Sequence, residues 1–189
     1  MTTAVKEINK MTPAQGFTAD GYIMDQDCFH PLRYRTLPAS INGCGWIAVY
    51  NLRKCLGREE DYRVILRELE GMHLWNVPGP TLMTVMRAYL KKYVPEAVET
   101  VGREEALAAA ASSRCGIFRY REKREPHFIS YLRVGEGQFR FFNVADGLED
   151  CRMSMETFGE EHLCGGTVIV FAVEEQRDRE KNGAAAATD

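Results

Sequence analysis

The chain has no apolar run approaching the ~20 residues that a membrane-spanning helix needs. It also lacks an excess of charge of one sign. The formal net charge is −3, with acids and bases mixed along the sequence, so there is no basic footprint for nucleic acid and no polybasic patch for a membrane surface. The opening stretch "MTTAVKEINKMTPAQGF" has no basic segment followed by an apolar one, which speaks against a secretory signal and for a cytoplasmic location. No CxxC pair occurs among the six cysteines (Cys28, Cys44, Cys55, Cys115, Cys151, Cys164), and their spacing is irregular. Without secretion and without regular spacing, disulfides are not expected. Internal repeats and Pro/Gly/Ser-rich linkers are missing as well.

What remains is a soluble, globular composition. The 189 residues are 45% hydrophobic and 27% charged, enough for one domain with a sizeable core. Residues 1–17 are weakly patterned and read as a flexible arm. Residues 18–175 read as the domain. Residues 176–189, charged and then Ala-rich, read as a solvated, disordered tail.

The first half of the domain has helical periodicity. From Gly45 to Leu56 the apolar residues Trp46, Ile47, Ala48, Val49, Leu52, Cys55 and Leu56 almost encircle the helix, which predicts a buried one. Gly57 stops it. Further helices are expected over 59–70, 81–93 and 103–113, with "WNVPGP" (75–80) as a loop. The second half changes period. The stretches 115–120, 127–134, 138–144 and 166–173 are rich in β-branched and aromatic residues and read as strands. "GEG" (135–137) joins two of them in a hairpin. Helices first and antiparallel strands afterwards predict an α+β domain.

Four readings of Cys44 are open: a buried helix-start residue, half of a disulfide, a metal ligand, or a nucleophile. It sits in "INGCGWIAVYN", between Gly43 and Gly45, where a helix is expected to begin. A helix start favours an anion such as a thiolate, and flanking glycines leave room for a substrate backbone. A thiolate nucleophile needs a base, which can lie far away in sequence. His127 opens a strand directly after the charged loop "REKREP" and is the best placed of the four histidines. Asn143 lies sixteen residues later, across the hairpin, where position 127 is expected to pair near position 145. An amide there can orient an imidazole. Asp146 is the rival orienter. The pairs "CFH" (Cys28, His30) and "HLC" (His162, Cys164) raise a zinc reading, but they lack the knuckle spacing of structural zinc sites. No metal and no cofactor is expected.

The stretches "GCGWIAVYNLRKCLG" and "HFISYLRVGEGQFRFFNVADG" resemble the papain-like cysteine peptidases, closest in style to the bacterial C39-like group. "WNVPGPTLMTVMRAYLKK" resembles the loop and helix that edge the cleft in that group. The resemblance spans about residues 38–147. It implies a papain-like α+β fold, with a buried central helix carrying Cys44 and a C-terminal antiparallel sheet. It implies Cys44, His127 and Asn143 as the catalytic set, and a peptide or amide as substrate. It places the loop with Trp75, Asn76 and Gly79 by the cleft; Gly43, Gly45 and Trp46 are further cleft candidates, Trp46 being read first as a core anchor of the central helix. The chain departs from the pattern at one point. The family's oxyanion-binding Gln falls five or six residues before the Cys, whereas position 38 is Pro and no Gln occurs from 27 to 43. Gln26, Ser40 and Asn42 are the candidate substitutes, Asn42 also being a candidate N-cap. Hydrolysis is the leading expectation. The alternatives are acyl transfer by the same residues, or a non-catalytic binding or scaffold domain.

Overall fold

The computed structural model describes residues 12–74, 78–122, 125–144, 150–163 and 165–174. Trp75, Asn76, Asp146, Cys164 and the tail from 175 onward lie outside the described residues.

The chain builds an α+β domain. A two-residue hairpin, β1 (Arg33–Tyr34) and β2 (Leu37–Pro38), leads into a helical turn, α1 (Ala39–Asn42). The long buried helix α2 (Cys44–Cys55) follows, then α3 (Tyr62–Gly71) and α4 (Met83–Tyr93). The rest alternates strands with two helices: β3 (Val98–Val101), α5 (Arg103–Ser112), β4 (Cys115–Glu122), β5 (Glu125–Gly135), β6 (Gln138–Phe142), β7 (Cys151–Met153), α6 (Met155–His162) and β8 (Ile169–Val173). The strands from β3 on form one antiparallel sheet of order β3-β8-β4-β5-β6-β7.

Helix α2 has the expected all-round burial, from Cys44 to Cys55 with few exceptions. It ends as its sequence requires. Gly57 takes φ +70°, and the amides of Gly57 and Arg58 reach back to the carbonyls of Lys54 and Arg53, a Schellman closure. Asp61 caps α3 by accepting from the Arg63 amide.

The sheet separates two apolar layers. On one side α2, α3 and α4 pack on Ile117, Phe128, Phe142 and Phe171. On the other, Ala106 and Ala110 of α5 and Phe158 of α6 pack on Phe118, Tyr131, Phe141 and Val170. Alternate residues of each strand face opposite sides, which is why Ile117 and Phe118 belong to different layers.

β3, β7 and α6 are among the elements not expected from sequence. β3 and β7 are short and mixed in polarity, and β7 lies at the sheet edge. α6 contains Gly159, ordinarily unfavourable inside a helix, but a side chain there would run into Leu107 of α5. Of residues 12–17, assigned to the arm, Thr12, Ala14 and Gln15 are exposed, whereas Gly16 and Phe17 pack against the domain. Gly16 is buried against Phe29, and Phe17 pairs with Ile23 and meets the rings of Phe29 and Tyr50.

Candidate active site

Cys44 opens α2 and is 4% exposed. The turn α1 precedes it directly, Gly43 has helical angles (φ −81°, ψ −9°), and the Gly43 amide bonds the Ala39 carbonyl at 2.8 Å. Gly43 is the N-cap, without side-chain capping, so Asn42 is not one.

The flanking glycines serve packing instead of substrate entry. A Cβ on Gly45 would overlap the Thr81 hydroxyl, and one on Gly43 would overlap the Ala39 carbonyl and approach Trp46 Nε1. Trp46 is likewise not a cleft residue. It is fully buried, with its ring against Phe29 and Tyr62. Gly79 (φ +140°) belongs to the same construction, its carbonyl accepting from Asn42 Nδ2 at 3.1 Å and Arg35 Nη1 at 3.3 Å.

The three oxyanion candidates are engaged elsewhere. Asn42 Nδ2 donates to the Tyr34 carbonyl (2.9 Å) and the Gly79 carbonyl, which uses both its hydrogens. Ser40 Oγ bonds His30 Nδ1 at 3.0 Å. Gln26 is fixed in a 3₁₀ turn (Gln26–Phe29) capped by Asp25, and donates from Nε2 to the Ser40 carbonyl at 2.8 Å.

The hairpin has the expected register. Ser130 stands opposite Phe142 and Tyr131 opposite Phe141; position 145, expected opposite 127, lies outside the described residues. A bulge between Arg133 and Gly135 absorbs the turn. Asn143 follows β6 directly and takes φ +61°, a left-handed conformation that Asn tolerates better than most side chains. His127 Nε2 lies 2.8 Å from the Asn143 main-chain oxygen. His127 and Asn143 are therefore in contact through the main-chain carbonyl and not the side-chain amide. A carbonyl only accepts, so Nε2 carries the hydrogen of this bond. The Asn143 amide instead donates to Gln26 Oε1 at 3.3 Å. Gln26 thus bridges the His127–Asn143 corner to Ser40, one turn upstream of Cys44.

His127 stands opposite Tyr120, with the rings edge-on at 5.9 Å. Tyr120 belongs to the α5–α6 layer, whereas Cys44 belongs to the α2–α4 layer.

A polar cluster that the sequence did not single out surrounds Tyr34. This residue is fully buried, and its hydroxyl lies 2.8 Å from Thr81 Oγ1 and 3.2 Å from His73 Nε2. Burial pushes the phenol up, and the nearby Cys44 sulfur adds to the shift. Burial and Arg35 push the His73 imidazole down. Beyond His73 lies a largely apolar cavity of about 350 Å³, whose lining includes Met72, Leu74, Leu82 and Val85.

The other described thiols are buried. Cys28 is pushed up to about 12 by burial and the neighbouring Asp25 carboxylate. Burial also raises Cys55 and Cys151. Cys28 and His30 turn to Asp25 and Ser40, and His162 stacks on Phe158. Among the described residues no group of three or more His, Cys, Asp or Glu side chains has a metal-holding arrangement. No described helix is long and apolar enough to cross a membrane.

No family model matches the chain. No curated protein matches it either. Among solved structures, the chain is similar to the peptidase domain of Streptococcus ComA, a bifunctional ABC transporter, at 17% identity and a TM-score of 0.46, covering 71% of this chain and 93% of that one.

Proposed function

We propose that this protein is a papain-like thiol hydrolase that cleaves a peptide or amide bond through an acyl-enzyme on Cys44. His127 Nδ1 takes the thiol proton. The Cys44 thiolate attacks the carbonyl carbon, and the tetrahedral oxyanion collapses with loss of the amine, which His127 protonates. Water, deprotonated by His127, then attacks the thioester and releases the acid. An amine in place of water would give acyl transfer.

The observation that supports this reading is the hydrogen bond from His127 Nε2 to the Asn143 carbonyl, which fixes the ring in a corner bridged by Gln26 to the turn before Cys44. The apolar cavity beside His73 offers room for a substrate side chain.

A second reading, a binding domain without turnover, is favoured by the near-complete burial of Cys44 and the commitment of both Asn42 hydrogens. Iodoacetamide labelling separates the two, followed by peptide mass spectrometry across pH 5–9. The hydrolase reading expects Cys44 to react with an apparent pKa below the ~8.5 of a free thiol, and His127→Ala to abolish that advantage. A Cys44 that reacts no faster than an ordinary thiol overturns it.

A further inference from the structure

The contacts around Cys44 single out Tyr34. Its main-chain carbonyl accepts from Asn42, two residues before Cys44. Its hydroxyl bonds Thr81, the residue whose side chain occupies the space left by Gly45, one residue after Cys44. Tyr34 is therefore held at its carbonyl by Asn42 and at its hydroxyl by Thr81, which packs on Gly45, so both ties lead to the chain segment that carries Cys44. Gln26, Ser40 and Asn42 have their side-chain donors directed elsewhere or, in Asn42, fully used.

The hydroxyl also has the right partners. Thr81 Oγ1 has a proton to donate. The His73 imidazole, held neutral by burial and Arg35, donates from Nε2 in one tautomer. With both neighbours donating, the phenolic proton is left for a third acceptor. Burial keeps the phenol protonated at neutral pH, as a donor must be.

We infer that Tyr34 is the side-chain oxyanion donor of the Cys44 site, positioned by Thr81 and His73. This assignment rests on the hydrolase reading. In the transition state the substrate carbonyl oxygen takes on negative charge as the C–S bond forms, and the Tyr34 O–H donates to it without transferring its proton. A donor aimed at developing charge acts on the chemical step and leaves alkylation by iodoacetamide, which forms no oxyanion, untouched.

The test compares two reactions of the same thiol in wild type, Tyr34→Phe and the near-isosteric Thr81→Val. Acylation of Cys44 by p-nitrophenyl acetate is followed by nitrophenolate release, and alkylation by iodoacetamide is followed by mass. Tyr34→Phe is expected to slow acylation by about 10²–10³-fold, the loss typical of one oxyanion donor, with the alkylation rate unchanged. Thr81→Val is expected to fall between Tyr34→Phe and wild type. Acylation at the wild-type rate in both variants overturns the assignment. So does an equal loss in both reactions, which would place Tyr34 in the support of the thiol. A wild-type protein that is alkylated but never acylated at Cys44 removes the hydrolase reading and the Tyr34 role together.

Discussion

Gln26 is where the candidate site is most open to a decisive perturbation. Its amide accepts from Asn143 Nδ2 at 3.3 Å and donates to the Ser40 carbonyl at 2.8 Å, the two bonds together joining the sheet rim to α1. A typical hydrogen bond contributes about 0.5–1.5 kcal/mol net, and the longer of these two belongs at the low end. Gln26→Ala should therefore cost about 1–2 kcal/mol. For a domain of this size that lowers Tm by roughly 2–8 °C. Gln26→Glu sharpens the test. A carboxylate can still accept from Asn143, but it sets an acceptor against the Ser40 carbonyl and adds charge between Asp25 and Asp27. It should be at least as destabilising as Ala, although it is nearly isosteric with Gln. Calorimetry gives the stability, and the Cys44 alkylation rate shows whether the corner still reaches the thiol. A Gln26→Glu protein as stable as wild type, with unchanged alkylation, would refute the bridge.

Gly45→Ala should cost about 1–3 kcal/mol as an overpacking change, because the new Cβ lands on Thr81; thermal unfolding measures it. Asn143→Ala should leave the pH profile of Cys44 alkylation as in wild type, since the His127 partner is a main-chain oxygen, while lowering Tm through the lost Gln26 contact; a profile that changes as in His127→Ala would show that the side chain does the orienting. Asp20 is held at about 2 by its hydrogen bonds to Arg140, below its ordinary 3.8, so its contribution to stability is present above about pH 4 and is lost as pH falls toward 2. Asp20→Asn should flatten the acid limb of a Tm-against-pH curve in that window, and an unchanged limb would count against the pair.

Much of this arrangement was legible because it follows from local periodicity. The apolar residues around 45–56 demand burial on all sides, and α2 has it. The "GEG" turn predicts a hairpin, and β5 and β6 form it, with a bulge at Arg133–Gly135 shifting the register next to the turn. What stayed hidden depends on side chains that only tertiary contact assigns. Asn42 looks like a helix cap by position, yet its amide is used to tie the Tyr34 carbonyl to the Gly79 carbonyl. Gly43 and Gly45 look like room for a substrate, and the room is filled by Ala39, Trp46 and Thr81. Asn143 was found by its interval from His127, but the contacting atom is its backbone oxygen, which no residue type specifies. Tyr34 lies in "RYR" with no pattern to mark it, and only the buried hydroxyl cluster reveals it.

The sheet order also has a consequence for how the chain is made. β3 pairs only with β8 among the described strands, and β8 lies between β3 and β4. On the ribosome, the helices around Cys44 and the β4–β5–β6 meander emerge well before Ile169–Val173. At ~5–20 residues per second, some seconds pass in which β4 has an open edge and β3 has no partner. A nascent chain halted in that interval holds Cys44, His127 and Asn143 on an unfinished support. Among the described strands β8 is the last to be made, and its arrival between β3 and β4 completes the sheet that supports Cys44 and His127.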